Sequence, residues 1–320
     1  MGMPEFFPLF NTDAPVLVIG AAGVDVIGRL ETDIQAATST PAKIQHSYGG
    51  VARNIAENLG RLGQPVRLLT VVGDDASGDE LLAHATKAGV DVSAVIRSKD
   101  YPTGHYLGVV DKNGVLKFAV DDMRLMEELT SAYLKEQEEL FKSSSLVFVD
   151  ANLPKKTIRT SLSLARRANV PVCADPTSSS LAEKLKTFVP RLFLVTPNCQ
   201  EARVLTGLSF ETSERDAATE AARALVNKGA NIALVALAEF GVVYATSETT
   251  GYVPAIRTSI SDPTGAGDAM TAAVIFALLN EIELDDAVRL GVSAASLTLR
   301  HPGSVFPELS LEGLYDQLLI

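Results

Sequence analysis

The sequence has no tryptophan, two cysteines and four histidines in 320 residues. The missing tryptophan excludes nothing by itself. Cys173 and Cys199 stand in no CxxC or Cys/His spacing, which argues against a structural zinc site and for a pair of buried reduced thiols. Basic residues are in deficit, 28 Lys and Arg against 39 Asp and Glu, for a formal net charge of −11. That balance works against the phosphate-backbone attraction that nucleic-acid binders need, so no nucleic-acid partner is expected. A small anionic ligand is not excluded, because it needs only a local nest of N–H groups and one or two cations. Long apolar runs are missing too: Ala272–Leu279 is the longest, too short to span a bilayer. The stretch 1–11 holds prolines and phenylalanines but no basic segment leading into an apolar one. No leader peptide and no membrane partner are therefore expected, and a cytoplasmic location is the default.

What is present is a chain that is 47% hydrophobic, enough for a sizeable core. Short β-rich runs (Val16–Ile19, Val66–Val72, Leu146–Val149, Val172–Ala174, Leu192–Thr196, Ile232–Leu237) alternate with helical patterns at Ala52–Leu62, Gly78–Ala88, Lys156–Arg167, Ala217–Lys228 and Ala269–Leu279. This alternation predicts an α/β fold, a mostly parallel sheet with helices on both faces and a ligand beyond the carboxyl ends of the strands. Two pairs of strands lack intervening helices: Val24–Ile34 with Ala42–Tyr48, and Thr103–Val110 with Val115–Val120. The second pair is joined by Asp111-Lys112-Asn113-Gly114, whose Asn-Gly is a hairpin signal. These four strands predict a small separate sheet, a lid over the strand ends. No repeat or linker divides the chain, so one domain over 1–320 is expected, with lid strands at about 24–48 and 103–121 inserted in it.

Two motifs carry chemistry. In Asp262-Pro263-Thr264-Gly265-Ala266-Gly267-Asp268, a turn of small residues runs straight into a helical pattern. The free N–H groups and positive dipole end of that helix would form an anion hole suited to a transferring phosphoryl group. Asp268 at its start could accept a proton from an attacking hydroxyl, or could merely cap the helix. The second motif runs from Tyr48 to Gly63, where Gly49 and Gly50 open a helix whose apolar face is Ile55, Leu59 and Leu62. The glycines allow close backbone contact with a sugar, and Asn54 offers both donor and acceptor.

These stretches resemble the two signatures of the ribokinase-like (PfkB) carbohydrate kinases, and the likeness extends over almost the whole chain. It implies a three-layer α/β/α Rossmann-like domain with a β-sheet lid, ATP as phosphate donor, and Mg²⁺. Asp268 would be the catalytic base, with Gly265, Ala266 and Gly267 forming the anion hole. Asp25, Gly49, Gly50, Asn54 and Asn152 would hold the sugar. Asn198, Gly241, Thr264 and Gly267 would face the nucleotide. Asn198-Cys199-Gln200-Glu201 is similar to the family's NxxE motif, which implies that Glu201 reaches Mg²⁺ through water; the same spacing also fits a capping box. Asp262, with Thr264 and the loop His301-Pro302-Gly303, would sit near a monovalent cation such as K⁺.

The chain departs from the pattern in two places. Gly23 stands where many members carry Asn, and Ala236 and Ala238 stand where a hydroxyl residue and a glycine are usual. A lost neutral hydrogen bond would weaken nucleotide binding by about 1 kcal/mol. The segments Gly104–Asp111 and Ala119–Met123 are similar to those of the pseudouridine kinases. That likeness implies transfer to the 5′-hydroxyl of a C-nucleoside, with His105 and Tyr106 meeting its base; free ribose or another nucleoside is the alternative substrate. A non-catalytic nucleoside sensor is the alternative of another class. The apolar lid strands would pair two copies into a homodimer.

Overall fold

The computed structural model describes residues 11–35, 37–112, 114–210 and 214–319. In chain order its elements are β1 (Val16–Ile19), β2 (Gly23–Leu30), β3 (Ala42–Gly49), α1 (Val51–Arg61), β4 (Val66–Leu69), β5 (Val71–Gly73), α2 (Ala76–Lys87), β6 (Val90–Asp91), β7 (Ile96–Ser98), β8 (Gly104–Val110) and β9 (Leu116–Asp122). There follow α3 (Ser131–Glu136), α4 (Glu138–Lys142), β10 (Leu146–Asp150), α5 (Lys155–Ala168), β11 (Val172–Asp175), α6 (Ser179–Ala182), β12 (Leu194–Val195), α7 (Cys199–Thr206), α8 (Arg215–Asn227), β13 (Ile232–Ala236), β14 (Val242–Ala245), β15 (Thr250–Val253), α9 (Ala266–Leu279), α10 (Leu284–Leu299) and α11 (Leu311–Leu318).

The main sheet has nine strands in the order β15-β14-β13-β12-β11-β10-β1-β4-β6. It is parallel from β6 to β13, with β14 and β15 added antiparallel at one edge. Its inner strands β1, β12 and β13 are apolar rather than alternating, because both faces are covered. Alternate residues feed two separate cores: Leu17, Ile19, Val147 and Val149 pack with Ile158 and Leu162 of α5, while Val16, Val18, Leu146 and Phe148 pack with α1, α9 and α10. The period-two side-chain alternation thus generates the three layers. Helix α9 is apolar on every side, since it lies between the sheet, α1 and α10. A side chain at Gly291 of α10 would press on Val274 at 2.8 Å, so glycine there lets the two helices approach.

From β1 the chain moves to one side (β4, β6), and from β10 to the other (β11, β12, β13). The order reverses between β1 and β10, and in such sheets that crevice is where ligands bind. The expected lid is present as a four-stranded sheet, β3-β2-β8-β9, with β2 and β8 parallel. At its base three glycines stand in register, Gly49, Gly23 and Gly104. A side chain at Gly23 would meet Gly104 O at 2.6 Å and Met123 Cε at 2.9 Å. The asparagine usual in the family therefore has no room here, and Met123 fills that space. Ile44, Leu107, Phe118 and Val120 share the outward face of the lid and are exposed.

Two expected strands come out differently. The run Val66–Val72 breaks at Thr70: β4 joins the main sheet, whereas β5 pairs with β7 in a separate ribbon. Of Leu192–Thr196 only Leu194–Val195 is strand, and a tight turn over Val189–Arg191 precedes it. Asn113 of the expected hairpin and residues 1–10 of the N-terminal stretch lie outside the described residues. Among the described residues no helix is long and apolar enough to cross a membrane. Cys173 and Cys199 are both buried.

Candidate active site

The loop before α9 is held by its own first residue. Asp262 accepts from Thr264 N at 2.9 Å with one carboxylate oxygen and from Gly303 N at 3.3 Å with the other. Each oxygen of the carboxylate expected to meet a monovalent cation thus already accepts a backbone N–H. Gly265 then takes a left-handed conformation, φ 77°, and a Cβ there would run into Ser304 O. No side chain caps the helix that follows, so the N–H groups of its first turn remain directed at the space in front of it. Gly267 is exposed, with no neighbouring atom within 4 Å of the position a Cβ would take.

On one side of this helix start lies a cleft of about 480 Å³ with mostly apolar walls, among them Ala236, Val242, Ile256, Met270 and Val292. Such walls suit a flat heteroaromatic ring, and the uncapped N–H groups of α9 beside them suit an anion. Gly241 (φ 106°) turns the chain at the rim, where a Cβ would collide with Val253 O. Ala238, at the position usually held by glycine, has φ 49°. An L-residue in that region costs roughly 1–2 kcal/mol. Ala238→Gly is therefore expected to stabilise the protein by about 1 kcal/mol and raise Tm by about 1–2 °C in a calorimetric scan. A lower Tm would show that the loop does not hold this conformation.

On the other side stands Asp268, half-buried at the floor of the crevice. Burial raises its pKa to about 7, with Asp150 and Asp25 adding to the rise and Asn54 and Arg53 opposing it. Asn54 Nδ2 donates to Asp268 Oδ2 at 2.6 Å, and Ser304 Oγ lies 3.0 Å from Asn54 Oδ1. The Asn54 amide is therefore turned with its nitrogen towards the carboxylate and its oxygen towards Ser304. Asp25 lies beside Gly49, where a Cβ would strike its carboxylate; burial raises its pKa to about 6, with Arg53 opposing. A Cβ at Gly50 (φ 92°) would strike Ala21 O. Internal packing is thus sufficient to require both glycines.

Two further acids meet here without any expectation from the sequence. Asp150 and Asp175 end the neighbouring parallel strands β10 and β11 in register. Asp150 Oδ2 accepts from Ala21 N at 2.8 Å and Ala52 N at 3.2 Å, tying the loop after β1 to the start of α1, and burial lifts its pKa to about 6. Asp175 is pushed well above the usual carboxylate range by burial and by its neighbours Glu201 and Asp268. The available signal was an acid closing each apolar strand, in Phe-Val-Asp and Cys-Ala-Asp.

Glu201 does form the capping box: it accepts from Asn198 N at 2.9 Å and Asn198 Nδ2 at 2.8 Å, while Asn198 Oδ1 accepts from Glu201 N at 3.0 Å. Asn152 donates its backbone N–H to Asp150 at 2.9 Å. Its side chain lines a polar cleft of about 690 Å³ at the lid base, with Asp121, Met123, Ser178 and Lys184. Tyr106 pairs with Asp25 across the lid and shares its face; His105, one residue away, is on the opposite face with its Nδ1 2.7 Å from Thr103 O. The two side chains expected to meet a base together are thus separated by the sheet.

Residues 13–310 match the pfkB family carbohydrate kinase pattern. The chain is similar to the pseudouridine kinase of Escherichia coli (strain K12), at 31% identity over 92% of this chain and 94% of that one. It is 29% identical to the guanosine-inosine kinase of Exiguobacterium acetylicum over 88% of this chain and 93% of its relative. Its fold is that of Arabidopsis thaliana ribokinase complexed with ribose and ATP, at a TM-score of 0.84 and 22% identity, covering 96% of this chain and 99% of the ribokinase. The chain belongs to the pfkB family of carbohydrate kinases and is a ribokinase-like phosphotransferase acting on a sugar or nucleoside hydroxyl.

Proposed function

We propose that the enzyme transfers the γ-phosphate of ATP to the 5′-hydroxyl of pseudouridine. The observation carrying this reading is the polar cleft that opens beside Asn152 at the lid base, with an acceptor at Asp121 and donors or acceptors at Ser178 and Ser180. Free ribose would leave it empty, whereas a base with two ring N–H groups has partners there. The likeness to a pseudouridine kinase supports the same choice. A guanosine- or inosine-like nucleoside is the second reading, supported by the 29% identical relative.

In this reading the chain's own groups divide the work. The crevice between β1 and β10 holds the sugar, with Asp25 and Tyr106 closing over it from the lid. Asp268 takes the proton of the 5′-hydroxyl. The first-turn N–H groups of α9 lower the charge on the transferred phosphoryl group. Among the described residues no group of three or more His, Cys, Asp or Glu is placed to cage a metal. Asp175 and Glu201, both raised in pKa, are the residues that would hold Mg²⁺, through its waters. When bound, it would neutralise charge on the β- and γ-phosphates.

A panel of pseudouridine, uridine, inosine, guanosine, adenosine and ribose, scored by ADP release, tests the substrate. Pseudouridine is expected to give the highest kcat/KM, by at least about tenfold over ribose, the equivalent of one or two extra hydrogen bonds. A purine nucleoside at the top would replace pseudouridine with the second reading. Ribose at the top would remove the nucleoside reading altogether.

A further inference from the structure

Arg53 is among the largest fully buried side chains in the molecule, at 1% exposure. Buried arginines are rare unless paired, and this one is held on every side. Its Nη1 pairs with Glu57 of the same helix, itself 0% exposed. Its Nε donates to Gly49 O at 3.3 Å. Its Nη2 donates both to Tyr48 O and, at 2.7 Å, to Ser304 Oγ. The guanidinium therefore joins the end of lid strand β3, helix α1 and the loop before α11, three segments far apart in sequence.

Ser304 is 3% exposed and carries one hydroxyl hydrogen with two acceptors in reach, Tyr48 O at 2.6 Å and Asn54 Oδ1 at 3.0 Å. Arg53 already supplies a hydrogen to Tyr48 O and another to Ser304 Oγ. With Tyr48 O already served by Arg53, Asn54 Oδ1 is the acceptor that depends on the Ser304 hydroxyl hydrogen. That contact and the Asp268 carboxylate together set which way round the Asn54 amide lies: oxygen towards Ser304, nitrogen towards Asp268. In the opposite orientation an amide oxygen would face a carboxylate oxygen at 2.6 Å, which is repulsive once Asp268 ionises.

We infer that Arg53 and Ser304 are positioning residues which, through Asn54, hold Asp268 with Oδ2 occupied and Oδ1 free for the substrate hydroxyl. Neither touches the reacting atoms. The inference rests on Asp268 being the base. The carboxylates facing Asp268 are Asp25 on β2, Asp150 at the end of β10 and Asp175 at the end of β11; Arg53 is the cation that opposes them. Removing any link of the relay leaves those three repulsions less opposed.

The test compares Ser304→Ala and Arg53→Lys with Asp268→Asn and wild type, on the full chain with ATP and the best nucleoside of the panel. Ser304→Ala removes only the hydroxyl, and an unchanged calorimetric Kd for the nucleoside checks its fold. It is expected to lower kcat by about fivefold to tenfold, the rate equivalent of one lost hydrogen bond, with KM changed by less than about twofold. Its acid limb in kcat/KM should move to higher pH, because the ionised base has lost a donor. Arg53→Lys keeps the charge but cannot make the fork, and should shift the limb in the same direction. A merely structural role would lower the amount of folded enzyme without moving the limb. Wild-type kcat and an unmoved limb in Ser304→Ala, with Asp268→Asn inactive, would overturn the relay and leave the base standing. An active Asp268→Asn would overturn both.

Discussion

Asp268→Asn is expected to lower kcat by roughly a thousandfold, in the range that general base catalysis contributes. The physical ground is the position of this carboxylate rather than its presence. It sits in the first turn of α9, beside N–H groups that no side chain caps, in a crevice crowded with other acids. Burial raises its pKa to about 7, with Asp150 and Asp25 contributing. A base must be ionised to accept a proton, so kcat/KM should rise with pH through about 7 and level off above it.

The same shift has a sign for stability. The folded-state pKa lies above the unfolded value, so between about pH 4 and pH 7 the unfolded chain loses this proton while the native chain keeps it. The group therefore lowers native stability as pH rises through that window, and the full loss is present above it. Asp268→Asn should then melt higher than wild type at pH 8, with the difference shrinking towards pH 4. Turnover within threefold of wild type would end the assignment of the base. An inactive variant that melts lower at pH 8 would leave the base in place but contradict the cause given for its raised pKa.

Gly265→Ala carries the second-largest effect. The left-handed conformation costs an L-residue about 1–2 kcal/mol, and the added Cβ would run into Ser304 O, which belongs to the backbone and cannot swing away. Either the loop 301–304 moves or the helix start does. Both outcomes pull the first-turn N–H groups from where the phosphoryl group passes, and loss of one such donor is worth about 100- to 1,000-fold in rate. A fall of at least about 100-fold in kcat, with a lower Tm, is expected from steady-state kinetics and calorimetry. Gly267→Ala is the control for Tm alone, since no protein atom lies within 4 Å of the position its Cβ would take. Equal losses of Tm in both variants would show that crowding against Ser304 is not the cause.

Much of this site was legible because its signals are contiguous. The turn Asp262–Asp268 and the helix after it occupy one stretch, so backbone conformation, dipole and carboxylate could be read together. The two-signature likeness and the strand-helix alternation likewise predicted the layers and the lid. Other features had no local signal. Asp150 and Asp175 are 25 residues apart in the chain and become neighbours only through parallel pairing of β10 and β11. Arg53 looks in sequence like one more polar position on an amphipathic helix, and its burial depends on Glu57 beneath it and Ser304 from the far end of the chain. His105 and Tyr106 are adjacent letters, but the register of β8 on β2 sends them to opposite faces.

The sequence by itself therefore determined the layered fold and the small-residue turn that leads into Asp268, because these follow from local patterns: apolar periodicity, a glycine turn and an acid at a helix start. Tertiary structure alone decided which acids share the crevice, which lid residue shares the face of Asp25, why Gly23 cannot be asparagine here, and which groups meet Asp268. Those depend on distances between segments joined by long loops, and a one-residue change of strand register would rearrange the lid contacts without altering any local pattern.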